Sequence, residues 1–267
     1  LNFTKMNGAG NDFIMLDNRE KKLCLDGDQI NRLCDRHRGI GADGMIMLEP
    51  AEHGDGFRMR YYNSDGNEAE MCGNGARCFA RYADRVITLE GNPINFETMA
   101  GPVSAQFHGE QTQLHLGDPV DLVMSSLIEL QGVPTTVHSV NTGVPHAVIV
   151  VDDIEQVDVC ALGAAIRYHD HFQPSGTNVN FLAVTDSNQI EIRTYERGVE
   201  DEALACGTGM VACAIVHDQL TGSGAPVSVK VRGGDTLKVD WEADGTTHSH
   251  VTLTGPAEFV FDGEINV

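Results

Sequence analysis

Met71-Cys72-Gly73-Asn74-Gly75 and Ala205-Cys206-Gly207-Thr208-Gly209 are near copies of one another, and each runs into a stretch with helical periodicity. The second helix begins Gly-Met-Val-Ala-Cys-Ala-Ile-Val and is apolar on nearly every face. Such a helix must be enclosed by protein, which a sheet curled around it provides. The two cysteines lie 134 residues apart in a chain of 267, so the repeat predicts that the partner helix occupies the same place in a second half.

Working outward, further segments repeat at nearly the same offset. Arg60, Tyr62 and Asn63 precede the first cysteine as Arg193, Tyr195 and Glu196 precede the second, and both copies carry an acidic stretch into the turn. NGAGNDFIM at 7–15 has its counterpart in NTGVPHAVI at 141–149, a glycine turn running into an apolar strand. A weaker echo links 41–44 with 176–179. The expected fold class is therefore α/β of the α+β kind. It consists of two pseudo-symmetric domains, each a curled, mostly antiparallel sheet wrapped around a central helix, with the active site in the interdomain cleft. The loop Gly117-Asp118-Pro119 sets the boundary: 1–117 form the half carrying Cys72, 118–254 the half carrying Cys206, and 255–267 are expected to return to the first.

Apolar-polar patterning predicts strands at 13–16, 45–48, 57–62, 113–116, 147–151, 180–184, 189–195, 227–231, 237–241, 251–254 and 258–261. Helices are expected at 28–37, with Asp28 as its cap, and at 74–87, 157–168 and 208–219.

Composition narrows the function. Hydrophobic residues make up 41% of the chain, enough for each half to bury a core without metal or disulfide staples. Seven irregularly spaced cysteines, without a signal-peptide pattern, predict free thiols and a cytoplasmic location. No apolar run reaches membrane-spanning length, so no membrane partner is expected. With 18 Lys plus Arg against 39 Asp plus Glu, the formal charge of -21 repels nucleic acid. A small zwitterion such as an amino acid, gripped by local cations or N–H groups, is compatible with it, and a homodimer is the expected assembly.

A thiol at a helix start faces unpaired N–H groups and the positive end of the helix dipole, which favour a thiolate and also bind anions; the nearby acidic stretches oppose this. Two such thiols suit a matched pair of proton carriers. Backbone N–H groups of Gly73, Asn74, Gly207 and Thr208 would grip an α-carboxylate and absorb developing charge, so that one thiolate takes the α-proton while the other thiol returns a proton to the opposite face. That inverts a stereocentre with no cofactor and no metal.

The chain resembles the diaminopimelate epimerase family through long motifs in order: NGAGNDF at 7–13, RHRGIGADG at 36–44, NSDGNEAEMCGNGARC at 63–78, GTNVNF at 176–181 and YERGVEDEALACGTG at 195–209. The resemblance implies cofactor-independent interconversion of LL- and meso-diaminopimelate in lysine and peptidoglycan synthesis. It implies Cys72 and Cys206 as the catalytic pair, His146 and Glu196 as polar residues that tune the thiols, and Asn11, Asn63 and Asn178 as substrate contacts. Glu196 also counts among the substrate-binding set, and Arg197 is implied to pair with the distal carboxylate, which its fork geometry suits. Two positions depart from the family pattern: Gly44, where some members carry Gln, and Val144, where many carry Asn.

The remaining cysteines, Cys24, Cys34, Cys78, Cys160 and Cys213, read as small buried hydrophobes, and His108, His115, His138, His169, His171, His217, His248 and His250 as surface residues. Cys72 with Cys78 and Cys206 with Cys213 are spaced by six and seven residues, which lacks the close pairs of zinc sites. A disulfide between the two helix-opening thiols reads as an oxidised, inactive state. The nearest enzymatic rival is a proline or hydroxyproline racemase, which resembles the same two-thiol design but has no second head group to recognise.

Overall fold

The computed structural model describes residues 1–53, 56–87, 91–245 and 247–267. It is mostly strand, and it divides into two units: Leu1–His115 together with Thr254–Val267, and Leu116–Leu253.

In the first unit, β1 (Asn2–Gly8) pairs antiparallel with β2 (Asn11–Asp17), and α1 (Gly27–Cys34) leads to β3 (Gly44–Pro50), parallel to β2. Next come β4 (Phe57–Asn63), antiparallel to β3, the short β5 (Glu68–Ala69) against β4, and α2 (Gly73–Ile87). β6 (Ile94–Thr98) lies parallel to β4 and continues antiparallel through β7 (Gly101–His108) to β8 (Gln111–His115).

The second unit repeats this order. After β9 (Val120–Leu130), β10 (Val133–Asn141) pairs antiparallel with β11 (Pro145–Val150), and α3 (Val159–Arg167) leads to β12 (Asn178–Asp186), parallel to β11. β13 (Gln189–Glu196) runs antiparallel to β12, β14 (Asp201–Ala203) is the short strand against β13, and α4 (Gly207–Thr221) follows. β15 (Val227–Lys230) lies parallel to β13 and antiparallel to β16 (Thr236–Asp244), before β17 (Thr247–Pro256). The chain ends in β18 (Glu258–Glu264), which returns to pair with β1, as β9 pairs with β10. Every pairing from β1 to β7 thus has its equivalent from β10 to β16, with the same parallel or antiparallel sense.

The central helices obey their sequence patterns. α2 is amphipathic and packs on β1, β2, β3, β4 and β8, burying Ala76, Cys78, Phe79, Ala80, Tyr82 and Ala83. α4 is buried at every residue from 209 to 217 and touches β10, β11, β12, β13, β15 and β16. A second layer lies on the other sheet face of each unit: α1 covers Ile14, Leu16, Met45 and Met47, and α3 covers Ala147, Ile149, Phe181 and Tyr195. Among the described residues no helix is long and apolar enough to cross a membrane.

Several expectations are corrected. Asp26, not Asp28, caps α1, through a capping box in which Asp26 accepts from the Gln29 N–H and Gln29 accepts from the Asp26 N–H. α1 stops at Cys34 because the Asp35 carboxylate takes the N–H groups of His37 and Arg38 into a turn. α3 starts two residues late because 154–156 form a separate 3-10 turn and Asp158 caps the helix. Cys34, Cys78 and Cys213 are buried, and desolvation pushes the first two thiols up to about 12 and the third well above its ordinary value. Cys24 and Cys160 are exposed instead, Cys160 against the Asp201 carboxylate. Of the histidines, His138, His217 and His248 are buried, His217 bonded to the Ser187 carbonyl and His248 to Asp218.

Candidate active site

Cys72 and Cys206 hold equivalent positions. The Cys72 carbonyl accepts from the Ala76 N–H at 2.8 Å and the Cys206 carbonyl from the Met210 N–H at 2.9 Å, so each cysteine is the residue that opens its helix. The first-turn N–H groups belong to Gly73 and Asn74 in α2 and to Gly207 and Thr208 in α4. The glycines two places further on have a steric reason. A Cβ at Gly209 would stand 2.4 Å from Asn180 Oδ1, and one at Gly75 would stand 2.8 Å from Ile46 Cδ1.

Around Cys72, Asn11 at the head of β2 turns its Oδ1 toward the sulfur, 3.7 Å away, and accepts there from Asn74 Nδ2 at 3.3 Å. Its amide cannot be the other way round, because Nδ2 donates to Asp43 Oδ2 at 2.6 Å and a carboxylate only accepts. Asp43 is in turn held by Arg36, which also forms a two-pronged pair with Asp12 at 2.8 and 2.9 Å. Burial raises the Asp12 carboxyl, but its bonds to Arg36 and Lys5 outweigh that and hold it well below the ordinary range. The NGAGNDF and RHRGIGADG motifs therefore meet in one charged clasp that fixes Asn11.

Asn63 ends β4 and is exposed, and its Oδ1 accepts from the Tyr61 hydroxyl at 2.7 Å. Gly44 stands opposite it in the β3–β4 register. A Cβ at Gly44 would come 2.6 Å from the Tyr62 carbonyl and 2.7 Å from the Tyr61 ring, so the space for a side chain there is filled by Tyr61.

Around Cys206, which is 8% exposed, the sulfur lies 3.6 Å from Thr208 Oγ1, and Thr208 Oγ1 lies 2.9 Å from His146 Nε2. Thr142 fixes the same turn by donating to the Thr208 carbonyl at 2.9 Å. Burial, reinforced by the charge of Arg197, pushes His146 down to about 3, so the imidazole is neutral. Asn178 bridges backbone on both sides, its Oδ1 accepting from the Arg197 N–H at 2.9 Å and its Nδ2 donating to the Pro145 carbonyl at 3.3 Å. Arg197 places Nη1 on the Ser175 carbonyl at 2.9 Å, and among the described residues no carboxylate pairs with it. Glu196 ends β13 half-buried, and desolvation raises its carboxyl. Val144 is half-buried in the turn before Pro145.

The acidic stretches before the two cysteines are partly neutralised in matching fashion. Glu68 is clasped by Arg60 at 2.9 Å through both prongs, and Glu202 by Arg193 at 2.6 and 2.7 Å. These are the repeated arginines of the sequence.

The structure thus gathers Asn11, Cys72, Gly73 and Asn74 in one cluster, and His146, Asn178, Arg197, Cys206, Gly207 and Thr208 in another. Asn63 bonds to Tyr61 instead of the Cys72 cluster, and Glu196 sits beside the second through chain continuity with Arg197. Sequence reasoning missed Asp43, Thr142 and Asn180. Asp43 and Asn180 lie inside the RHRGIGADG and GTNVNF motifs, and that position was their available signal. Among the described residues no three His, Cys, Asp or Glu side chains converge as a metal-binding set.

A family model described as diaminopimelate epimerase matches residues 3–122 and 138–260. Diaminopimelate epimerase of Aquifex aeolicus is 42% identical over 280 residues, covering 100% of this chain and 98% of that protein. The enzyme of the same name from Chlorobaculum tepidum is 42% identical over 265 residues, covering 98% and 100%. Among solved structures, a probable proline racemase from Agrobacterium radiobacter superposes with a TM-score of 0.73 at 14% identity, covering 100% of this chain and 93% of that one. That likeness speaks to the fold.

Proposed function

The chain belongs to the diaminopimelate epimerase family and is an isomerase, and on that premise we propose that it interconverts LL- and meso-diaminopimelate by passing the α-proton between Cys72 and Cys206, without metal or organic cofactor. The observation that carries the reading is that both thiols open topologically equivalent helices within a family match over residues 3–122 and 138–260. One thiolate removes the α-proton while the other thiol delivers a proton to the opposite face. The C–H bond broken on one face is replaced by one on the other, the charge is unchanged, and the thiols exchange roles for the reverse reaction. Inversion by this route requires the two sulfurs to address opposite faces of one α-carbon.

The α-carboxylate is taken by the N–H groups of Gly73 and Asn74 and of Gly207 and Thr208, where the helix dipoles also stabilise the carbanion. Arg197 receives the distal carboxylate: its Nη1 is spent on the Ser175 carbonyl, which aims the fork and leaves the other N–H groups for substrate. Asn11, oriented by Asp43, presents its oxygen beside Cys72, and Asn63 and Asn178 frame the distal amino-acid head group. Neutral His146 acts on Cys206 through Thr208, and Glu196, whose carboxyl desolvation raises, adds a polar group next to Arg197.

The test is isotope exchange in heavy water with the reduced, metal-free protein, following α-deuterium and stereochemistry on LL-diaminopimelate with proline alongside. The expected result is deuterium entry with formation of the meso isomer and silence on proline. Cys72→Ala and Cys206→Ala should each abolish epimerisation. Activity on proline alone would transfer the chain to the racemase reading, and substantial turnover by either single variant would remove the two-thiol scheme.

A further inference from the structure

Asn180 on β12 carries no role in the reading above, yet it is fully buried and its amide orientation is dictated by its surroundings. Its Nδ2 donates to the Ala147 carbonyl at 3.1 Å, and its Oδ1 accepts from the Thr194 hydroxyl at 2.9 Å. A carbonyl oxygen can only accept, so turning the amide over would set two acceptors against each other in a buried site. The nitrogen therefore faces that side, and its other hydrogen reaches His146 Nδ1 at 3.0 Å.

The rest of the chain of bonds follows from this one fixed direction. His146 is neutral, and a ring nitrogen that accepts from Asn180 carries the lone pair, so the proton sits on Nε2. Nε2–H then donates to Thr208 Oγ1 at 2.9 Å, and the Thr208 hydroxyl hydrogen is left for the Cys206 sulfur at 3.6 Å. A hydroxyl that donates to sulfur favours the thiolate, whereas one that accepts from it favours the thiol.

We propose that Asn180 is a positioning residue that sets the Nε2–H tautomer of His146 and thereby makes the Thr208 hydroxyl a hydrogen-bond donor to Cys206. The direction of donation originates at the Ala147 carbonyl, four hydrogen bonds away from the sulfur, on the parallel pair β11 and β12. Gly209 belongs to the same device, because its bare Cα lets the Asn180 oxygen approach the first turn of α4. The catalytic consequence rests on the proposed epimerase reading, while the tautomer and the hydroxyl direction do not.

Asn180→Asp keeps the shape and replaces the donor by an acceptor. Nδ1 must then carry a proton to meet the carboxylate; in a neutral ring Nε2 becomes the acceptor for the Thr208 hydroxyl and that hydrogen is withdrawn from the sulfur, whereas a doubly protonated ring keeps Nε2–H on Thr208, and slowing at Cys206 in that state would overturn the proposal. Two readouts report this. Nitrogen-15 shifts of histidine-labelled protein should show His146 protonated on Nε2 in the parent and on Nδ1 in Asn180→Asp. The alkylation rate of Cys206 by iodoacetamide, resolved by peptide mass in a Cys72→Ala background, should fall about tenfold, the scale on which partners of site residues act.

Thr208→Val supplies a second variant that leaves Asn180 and the core untouched. It should slow Cys206 alkylation to a similar extent while the His146 tautomer stays as in the parent, and adding Asn180→Asp to it should produce little further slowing. An Nδ1–H tautomer in the parent, or an equal slowing by Asn180→Asp with and without the Thr208 hydroxyl, would overturn the proposal. Exchange on LL-diaminopimelate is measured separately on the unmodified protein. Silence there with the predicted tautomer would refute the epimerase reading and leave this inference standing.

Discussion

Replacing Gly209 by alanine tests whether the first turn of α4 is built around Asn180. The new Cβ would stand 2.4 Å from Asn180 Oδ1 and 3.3 Å from the Cys206 sulfur. Relief requires the amide to move by roughly 1 Å, because close-packed interiors leave no slack for such an overlap. That amide makes bonds at 2.9, 3.0 and 3.1 Å to Thr194, His146 and Ala147, and all of them are buried. Each bond weakened beyond repair costs about 1 kcal/mol or more, and the gain of alanine over glycine in a helix returns about 1 kcal/mol at most. The expected net loss is about 2 kcal/mol. Gly75→Ala is the internal control at the equivalent place in α2. Its Cβ meets Ile46 Cδ1 at 2.8 Å, Met59 Cε at 3.4 Å and a Phe13 ring carbon at 3.4 Å. The closest of these is a terminal methyl that a rotamer change can move, so the helix gain should leave the variant near neutral. Urea unfolding of the two variants, followed by circular dichroism, measures the difference. Equal stabilities, or a Gly209→Ala variant more stable than Gly75→Ala, would refute the account of the second glycine as room for Asn180.

The paired arginine clasps should differ in weight: Arg193 and Glu202 have side chains 12% and 19% exposed, against 38% and 26% for Arg60 and Glu68. Arg193 also holds the Ile154 and Val157 carbonyls. Glu202→Gln is expected to cost about 2 kcal/mol and Glu68→Gln less than about 1 kcal/mol in denaturant unfolding, and equal costs would contradict the burial argument. His146 should make folding sensitive to acid. Its folded pKa of about 3 lies below the ordinary value of 6.5, so below pH 6.5 the unfolded chain takes up a proton that the folded one refuses. Stability from this group is therefore complete above pH 6.5 and falls by roughly 1 kcal/mol per pH unit on the way down toward 3. His146→Gln should flatten that part of the curve, and parallel curves for parent and variant would refute it. Glu196 works with the opposite sign: its carboxyl is raised, so its contribution is lost as pH rises out of the ordinary carboxylate range.

What the sequence disclosed was whatever depends on near neighbours along the chain. The Cys-Gly-x-Gly runs announce helix starts because the four residues involved are contiguous, and Arg60 and Arg193 announce the repeat, whereas their clasps on Glu68 and Glu202 show only once β4 and β13 pair with β5 and β14. The α4 helix disclosed its enclosure because all its faces are apolar. Strands β1, β5, β6, β7, β9, β10 and β14 have no counterpart among the expected strands, and for three of them the physical reasons differ. β1 buries Thr4 and Lys5, whose partners Asp262 and Asp12 lie elsewhere in the sequence, so its polar residues read as loop. β9 and β10 form a hairpin whose outward faces carry Val120, Leu127 and Val133 in the open, and Asp121 and Ser125 adopt positive φ where the register slips, so alternation is broken.

The site divides along the same line. Cys72 and Cys206 are legible because a helix start is a local event. Asn180 is not, because its meaning depends on the parallel register of β11 with β12, which sets His146 against Asn178 and brings the asparagine two residues on to the imidazole. Asp43 is likewise silent until β2 and β3 pair and its carboxylate reaches Asn11. The position of Gly44 carries the argument one step further. Read alone, a glycine where the family resemblance leads one to expect glutamine in some members is a lost contact. Across the β3–β4 register it is the room that Tyr61 needs in order to bond Asn63, so the missing side chain and the tyrosine-held asparagine are one local solution. Restoring glutamine at 44 should therefore disturb Asn63 before it adds any contact, because its Cβ must displace the Tyr61 ring or the Tyr62 carbonyl first.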